Sequence, residues 1–256
     1  MRQFAYNNLP VIPLRSHPDD RSEMVSQVLF GEHFFVNETF SHWAKITLIN
    51  DEYQGWIDQK AVQKTTNKSL KELQSFTTFL TSELFTKVSC EEDSFYIPIG
   101  SVLPDYYKGK FTLGETQYSI NTEVAPFSFE YDKFSEVCKK FLKAPYLWGG
   151  KTSYGIDCSG YTQVVLGQFG INIKRDASMQ AKQGRLVAFL AEAQMGDLAF
   201  FENEDGNITH VGIILSPDTI IHAHGEVRID AIDDMGIINK KTGKHSHRLR
   251  LLKRYF

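Results

Sequence analysis

The hydrophobic pattern of the chain changes its period near Pro126, and this change constrains the fold most strongly. Before it, short β-like runs alternate with turn residues; after it, apolar residues recur first at helical and then at strand spacing. Closely spaced short strands are typical of small β-barrels, and helices followed by strands are typical of an α+β domain. We therefore expect three parts, residues 1–64, 65–125 and 126–256.

The first part, from Leu9 to about Val62, is predicted to be a small all-β barrel. Glycines and the pair Asn50-Asp51 separate its β-like runs. The run Trp43-Ala-Lys-Ile-Thr-Leu-Ile, an acidic turn and then Tyr53-Gln-Gly-Trp-Ile resemble the hairpin of bacterial SH3-like domains. The expected strands are Val11 to Leu14, Glu32 to Glu38, His42 to Ile49 and Tyr53 to Ile57.

Residues 65–125 are expected to hold a linker and a second, degenerate SH3-like barrel. Residues 65–85 are polar, with apolar positions at helical spacing that suggest a linker or bridging helix. From Lys87 to about Asn121, runs such as Ser94-Phe-Tyr-Ile-Pro-Ile are β-rich. The apolar positions of the linker are Leu70, Leu73, Phe76 and Leu80.

The last part is predicted to form an α+β domain. One helix is expected around Phe134–Leu142, ending before Pro145, and a second from Cys158 to Gly170. Strand-like runs follow at Leu198 to Phe201, His210 to Leu215, Thr219 to Ala223, Val227 to Ile229 and Arg248 to Tyr255.

Composition excludes several classes of protein. Apolar residues make up 42% of the chain, as in an ordinary globular protein. The net charge of -3 gives no basic footprint for nucleic acid or an anionic membrane surface, and no segment has the ~20 apolar residues of a membrane span.

The chain has three cysteines and no evident secretory signal. We therefore expect a cytoplasmic location, or a periplasmic or secreted one if a leader has been removed.

Cys158 is the residue most suited to chemistry. A glycine-rich loop, Tyr146-Leu-Trp-Gly-Gly, leads to Asp157-Cys-Ser-Gly at an expected helix start. The positive end of a helix favours a thiolate and lowers the thiol pKa below its free value of ~8.5. The backbone N–H of Cys158 is also placed to stabilise an oxyanion. The alternative is a buried structural cysteine, which we assign to Cys138 among its helical core neighbours; Cys90 has no signature.

Two histidines are candidates for the base and its orienting partner. His210 begins a strand-like run and can face a cleft, and His222 ends the next run, where it can hold the imidazole of His210 in its productive tautomer. Surface or core histidines are the alternative. A zinc set of His210, His222, His224 and Cys158 is a further alternative, whereas His245 and His247 are expected in a solvated loop.

The order of the candidate catalytic residues resembles that of the NlpC family of papain-like cysteine peptidases: Cys158, then His210, then His222. Two flanking motifs add to the resemblance, Leu147-Trp-Gly-Gly before Cys158 and Gly196-Asp-Leu-Ala-Phe-Phe between Cys158 and His210. The resemblance spans residues 130–256 and implies a Cys–His–His triad, all three positions of which are filled. It implies an α+β papain-like catalytic domain that needs no cofactor and no metal.

The whole arrangement is similar to γ-D-glutamyl-L-diamino acid endopeptidases of murein-peptide turnover. The resemblance implies a peptide substrate with a free N-terminal L-Ala, whose ammonium is bound by acidic residues at a cleft closed by an SH3-like domain. Asp176 matches the acid of the catalytic domain, but it is equally suited to cap a helix from Ala177 to Gln183. The other residues expected to bind substrate are Glu23, Tyr53, Tyr146, Trp148, Asp157 and Ser159.

Two other functions remain open. One is an endopeptidase or amidase of different specificity on the same catalytic layout. The other is a non-catalytic protein that holds wall peptides. The sequence does not distinguish lysine from diaminopimelate in the substrate.

Overall fold

A computed structural model describes residues 3–64, 79–91, 93–240 and 242–256. The chain forms two compact units, Met1–Phe127 and Ser128–Phe256. Within these ranges the two longest helices have ten residues each, so none of the described helices has the length that a bilayer crossing requires.

The first unit begins with a seven-stranded antiparallel sheet in the order β3-β2-β6-β5-β4-β1-β7. Alternate side chains of its strands point into one core, which includes Leu14, Phe34 and Ile46. A β-carbon at Gly55 would lie 2.6 Å from Cγ of Leu14, so two strands approach there too closely for a side chain. The strands are β1 Gln3–Tyr6, β2 Val11–Arg15, β3 Met24–Leu29, β4 His33–Phe40, β5 Trp43–Leu48, β6 Gln54–Asp58 and β7 Gln63–Lys64.

The rest of the first unit holds two smaller antiparallel sheets, in the orders β10-β9-β13-β12 and β11-β8-β14. Of the positions expected in a linker helix, Leu80 lies in a strand, so that reading is wrong there, while Leu70, Leu73 and Phe76 fall outside the described residues. The strands are β8 Phe79–Thr81, β9 Phe85–Cys90, β10 Asp93–Pro98, β11 Val102–Leu103, β12 Lys110–Leu113, β13 Thr116–Ser119 and β14 Val124–Ala125.

Phe30, which directly follows β3, packs into the core of these two smaller sheets. It is fully buried and contacts Phe95, Phe111 and Tyr118, with ring centroids 5.4 to 6.0 Å apart. The backbone carbonyl of Phe30 also accepts a hydrogen bond from the N–H of Val102 at 2.8 Å. One aromatic side chain therefore joins the two halves of the first unit.

The second unit combines three helices with a large antiparallel sheet. The helix α1 (Tyr131–Lys140) buries Phe134, Val137 and Cys138, as the helical spacing predicts. The helix α2 (Cys158–Gly167) is almost wholly buried and packs on the sheet, and α3 (Ala177–Gln180) follows. The strands are β15 Lys151–Thr152, β16 Gly155–Ile156, β17 Arg185–Val187, β18 Leu198–Glu202, β19 Ile208–Ser216, β20 Thr219–His224, β21 Glu226–Asp233, β22 Gly236–Ile238 and β23 His245–Arg254.

The large sheet closes on itself. Its strand order is β17-β23-β18-β19-β20-β21-β22, and β23 also pairs with β22. Arg248 and its neighbours in β23 pair with Gly236 on one side and with Glu202 on the other. The six strands from β18 to β23 therefore form a ring, which brings the last strand beside the strands that carry the predicted histidines.

Phe30→Ala should destabilise the first unit by about 3 to 5 kcal/mol, because it removes a large buried ring from a close-packed core. Phe40→Ala is the matched control, since Phe40 is 63% exposed. Urea denaturation of the full chain, followed by tryptophan fluorescence, measures both changes. Equal stability of the two variants would contradict the role that we give to Phe30.

Candidate active site

A short hairpin and a capped helix position Cys158. The strands β15 and β16 form the hairpin, and Asp157 follows as the N-cap of α2, where its carboxylate accepts a hydrogen bond from the N–H of Gly160 at 2.7 Å. A β-carbon at Gly160 would lie 2.3 Å from the carbonyl oxygen of Gly150, so the loop packs closely against the first helical turn. Cys158 is thereby fixed as the first residue of the helix, as predicted.

Arg175 anchors the loop through a buried ion pair with Asp157. Its two terminal nitrogens bond to both carboxylate oxygens, at 3.0 Å and 2.6 Å, and one also donates to Oγ of Ser159 at 2.9 Å. The side chain of Arg175 is 2% exposed. The second oxygen of Asp157 accepts the N–H of Gly149 at 2.8 Å. One carboxylate therefore connects the glycine-rich loop, the helix start and Arg175.

The thiol of Cys158 lies in a buried environment that disfavours its ionisation. Burial, followed by the neighbouring Asp157 carboxylate, raises the pKa of the Cys158 thiol to about 12, although backbone N–H groups of Val211 and Ser159 oppose this rise. The expectation of a pKa below the free value is therefore wrong. The reason is that desolvation and the capping carboxylate outweigh the helix terminus. The resting residue is a thiol, and a base must take its proton.

The strand β19, which carries His210, packs on α2, and the backbone N–H of the next residue, Val211, acts to lower the pKa of the Cys158 thiol. Nε2 of His210 lies 2.8 Å from Nδ1 of His222 on the adjacent strand. Nε2 of His222 in turn lies 3.1 Å from Oδ2 of Asp230. The structure thus brings together the three predicted catalytic positions and adds a carboxylate behind them.

His210 is held as a neutral imidazole. Its side chain is buried, and burial followed by its neighbours His222, His247 and His224 lowers the pKa of His210 well below 6.5. A neutral imidazole can accept a proton, so the pair of groups at rest is a thiol and an uncharged base. Such a pair is suited to proton transfer at the moment of nucleophilic attack.

His247 does not lie in a solvated loop, as its sequence context suggested. It belongs to β23, and its ring stacks on that of His210 with centroids 4.3 Å apart and planes at 29°. Its ring also meets that of His224 edge-on at 4.7 Å. The closure of the sheet explains why His247 reaches His210: β23 pairs both with β22 and with β18, so it completes the ring of strands that contains the histidine-bearing strands β19 and β20. His245, in contrast, is exposed and bonds to Asp233 at 2.8 Å.

The predicted substrate residues divide between the two units. In the second unit, Tyr146 lies near the thiol, since Cys158, after burial, contributes to raising the pKa of the Tyr146 hydroxyl. Trp148 is 59% exposed beside the glycines. Asp176 occupies the N-cap position of α3, but its side chain makes no capping hydrogen bond. That helix ends at Gln180 rather than at Gln183.

In the first unit, Glu23 is exposed just before β3, and Tyr53 packs partly buried against the core of the first sheet. Asp157 and Ser159 are both buried and both bond to Arg175. Their contact with substrate, like that of Glu23, Tyr53 and Asp176, stays a prediction.

Sequence reasoning missed three residues that shape the site: Arg175, Asp230 and His247. Arg175 was visible only as part of a motif around Asp176. The strand β21 carries Arg228 directly opposite His222, and Asp230 lies two positions further on the same face. The hairpin spacing between His222 and Asp230 was the one available signal. Among the described residues, no group of three or more His, Cys, Asp or Glu side chains has the geometry to hold a metal ion.

Comparison with known proteins finds a family match within each unit. Residues 143–245 match the NlpC/P60 family, and residues 14–62 match the bacterial dipeptidyl-peptidase Sh3 domain. The chain is 29% identical to the gamma-D-glutamyl-L-lysine dipeptidyl-peptidase of Bacillus subtilis, over 77% of this chain and 71% of that protein. It is 23% identical to dipeptidyl-peptidase 6 of Lysinibacillus sphaericus, over 86% of this chain and 89% of that protein.

A solved structure supports the same architecture. The crystal structure of an NlpC/P60 family protein from Bacillus cereus matches 98% of this chain and 99% of its own chain, with a TM-score of 0.83 and 19% identity. The predicted fold class, an α+β papain-like domain preceded by one or two small all-β SH3-like barrels, is confirmed, with one such barrel matched at residues 14–62. The second, degenerate barrel within residues 65–125 stays a prediction.

Arg175→Met should destabilise the second unit by about 3 to 5 kcal/mol, because it leaves the Asp157 carboxylate buried without its charge partner. The matched control is Arg21→Met, which breaks an exposed pair with Asp19 and should leave stability unchanged. Urea denaturation of the full chain, followed by circular dichroism, compares the two. A loss for Arg175→Met no larger than that of the control would rule out the anchoring role.

His247→Gln should raise the pKa of His210 toward 6.5. The substitution removes a neighbouring ring that both desolvates His210 and, when protonated, repels its charge. An NMR titration of the histidine rings measures the shift, and the fraction of protonated His210 at a given mildly acidic pH should increase. His245→Gln, two residues away on the same strand, is the control and should leave the His210 titration unchanged. A His210 titration unaffected by His247→Gln would contradict this account.

Proposed function

We propose that this chain, which carries an NlpC/P60 domain and a bacterial dipeptidyl-peptidase SH3 domain, is a cysteine endopeptidase of cell-wall peptides. It hydrolyses the bond between γ-D-glutamate and the L-diamino acid in murein peptides that have a free N-terminal L-Ala. The names of two relatives support the proposal. One is named for the gamma-D-glutamyl-L-lysine bond, and both are named dipeptidyl-peptidases, which fits cleavage two residues from a free N-terminus. The observation that carries the proposal is the hydrogen-bonded pair His210 and His222 beside a cysteine at a helix start.

Cys158 is the proposed nucleophile. Its sulfur attacks the γ-carbonyl carbon of D-glutamate while its proton passes to His210, so that no free thiolate needs to be stable at rest. The carbonyl oxygen becomes an oxyanion, which accepts a hydrogen bond from the backbone N–H of Cys158 and, as a second donor, from the Tyr146 hydroxyl. A raised pKa keeps that hydroxyl protonated and able to donate.

The second half of the reaction returns the proton. His210 protonates the amine of the diamino acid as the carbon–nitrogen bond breaks, leaving a thioester on Cys158. A water molecule, deprotonated by His210, then attacks the thioester carbon. The sulfur leaves and recovers its proton, and the dipeptide L-Ala-γ-D-Glu departs with a new carboxylate. No cofactor enters any step.

Substrate selection is proposed to rest on charge. A free N-terminal ammonium that is withdrawn from water needs a negative partner, since an unpaired buried charge is costly. Asp176, at the N-terminal end of α3, is the proposed carboxylate from the second unit. Glu23 and Tyr53 are the proposed contributors from the SH3 domain. Trp148, Asp157 and Ser159 are proposed to line the same pocket.

We also propose that the protein works on released peptides in the cytoplasm. None of the three cysteines Cys90, Cys138 and Cys158 is in a disulfide, which is typical of a reducing compartment. Peptide turnover of this kind would serve the recycling of wall material.

The test compares L-Ala-γ-D-Glu-L-Lys with its N-acetyl form by mass spectrometry of the products. The free peptide should yield L-Ala-γ-D-Glu and lysine, and acetylation should lower kcat/KM roughly 10²-fold because it removes a desolvated charge pair. Equal cleavage of both peptides would favour an endopeptidase of other specificity.

The same assay tests the nucleophile. Cys158→Ala should lower kcat at least ~10⁴-fold, whereas Cys90→Ala, in the other unit, should leave it unchanged. Turnover that survives Cys158→Ala would rule out the cysteine mechanism. Absence of cleavage of any wall peptide by the unmodified protein would favour a binding protein.

A further inference from the structure

Asp230 is a buried carboxylate that no part of the proposed reaction yet uses. It is 3% exposed and lies on β21, beside the strand that carries His222. Arg228 fixes its orientation with two donors: Nη2 bonds to Oδ1 at 2.8 Å, and Nε bonds to Oδ2 at 2.7 Å. Oδ2 is also the oxygen that lies 3.1 Å from Nε2 of His222. The carboxylate therefore faces the histidine pair in one fixed geometry.

The charge of Asp230 determines which atoms carry protons. Burial alone would raise its pKa, but hydrogen bonds from His222 and Arg228 lower the pKa of Asp230 to about 2. An ionised carboxylate only accepts hydrogen bonds, so Nε2 of His222 must be the donor. Burial, opposed by Asp230, lowers the pKa of His222, which is thus neutral. A neutral imidazole has one N–H, so Nδ1 of His222 is left as an acceptor.

The same logic extends to His210. Nδ1 of His222, as an acceptor, requires that Nε2 of His210 donates across their 2.8 Å hydrogen bond. Because His210 is also neutral, its single N–H is then used, and its Nδ1 carries a lone pair. That lone pair is the only one on the ring that can take a proton from a thiol. The ionised carboxylate of Asp230 therefore fixes which nitrogen carries the proton first in His222 and then, through the His222–His210 hydrogen bond, in His210.

We propose that Asp230 is a positioning residue that sets the tautomers of His222 and His210 and so reserves Nδ1 of His210 as the proton acceptor. The inference rests on the proposed function only in taking His210 as the base. After His210 accepts a proton it becomes a cation, and its Nε2–H still donates to His222. The negative charge of Asp230 then stabilises that cation through the intervening ring.

Asp230→Asn tests the proposal because it changes polarity with almost no change in shape. The Asn oxygen, in the place of Oδ1, can keep the hydrogen bond from Nη2 of Arg228. Its NH₂ group, in the place of Oδ2, loses the bond from Nε of Arg228 and faces Nε2 of His222 as a donor. Both rings should consequently switch, so that Nδ1 of His210 carries the proton. The nitrogen chemical shifts of ¹⁵N-labelled histidine report the tautomer directly, without any substrate. His210→Gln and His222→Gln assign the signals.

In the unmodified protein, both His210 and His222 should be protonated on Nε2. Asp230→Asn should move both protons to Nδ1 and lower kcat by roughly 10²-fold or more, up to the ~10⁴-fold that a wrong tautomer costs in a Ser-His-Asp triad. Asp230→Glu, which keeps the carboxylate, should retain the original tautomers and recover part of the activity. Asp233→Asn, an exposed carboxylate of the same strand, is the control and should change neither readout.

Several outcomes would overturn the inference. One is a proton on Nδ1 of His210 in the unmodified protein, which can be observed even if a variant fails to fold. Another is a change of tautomer in Asp230→Asn without loss of kcat. If no wall peptide is cleaved but the tautomers respond as stated, the proposed function fails while the assignment of the protons by Asp230 stands.

Discussion

The buried ion pair between Arg175 and Asp157 is the interaction on which the geometry of the site depends. Asp157 caps the nucleophile's helix, bonds to the glycine-rich loop and pairs with Arg175, so three segments distant in sequence meet at one carboxylate. Two charges withdrawn from water are tolerated only when their hydrogen bonds are complete, as they are here. The position of the Cys158 thiol therefore depends on this ion pair, which holds the start of α2 in place.

The same carboxylate imposes a constraint on the chemistry. Burial and a neighbouring negative charge oppose the ionisation of the Cys158 thiol, and burial and three neighbouring histidines oppose the protonation of His210. Both reactive groups are consequently uncharged at rest. Charge appears only during attack, when the proton moves from sulfur to nitrogen, and Asp230 then lies behind the resulting cation. The site is built to stabilise separated charge in the reaction rather than before it.

Local pattern was sufficient for much of the fold. The helix at Phe134 and Val137, the helix that starts at Cys158 and the strands that carry His210 and His222 follow from long periodic segments. In residues 3–64, the strands at Gln3–Tyr6 and Met24–Leu29 were missed because their apolar alternation is weak. Leu80 was assigned to a helix because a few apolar residues at spacings of three and four also fit a short buried strand.

The sequence by itself determined the nucleophile's place at a helix start and the order of the two histidines, because capping and strand periodicity act between near neighbours. Tertiary structure decided the electrostatics. Burial reversed the expected direction of the Cys158 pKa, the register of β20 on β21 brought Asp230 to His222, and ring closure by β23 stacked His247 on His210. These effects depend on solvent exclusion and on strand pairing between distant residues, neither of which is encoded in any local pattern.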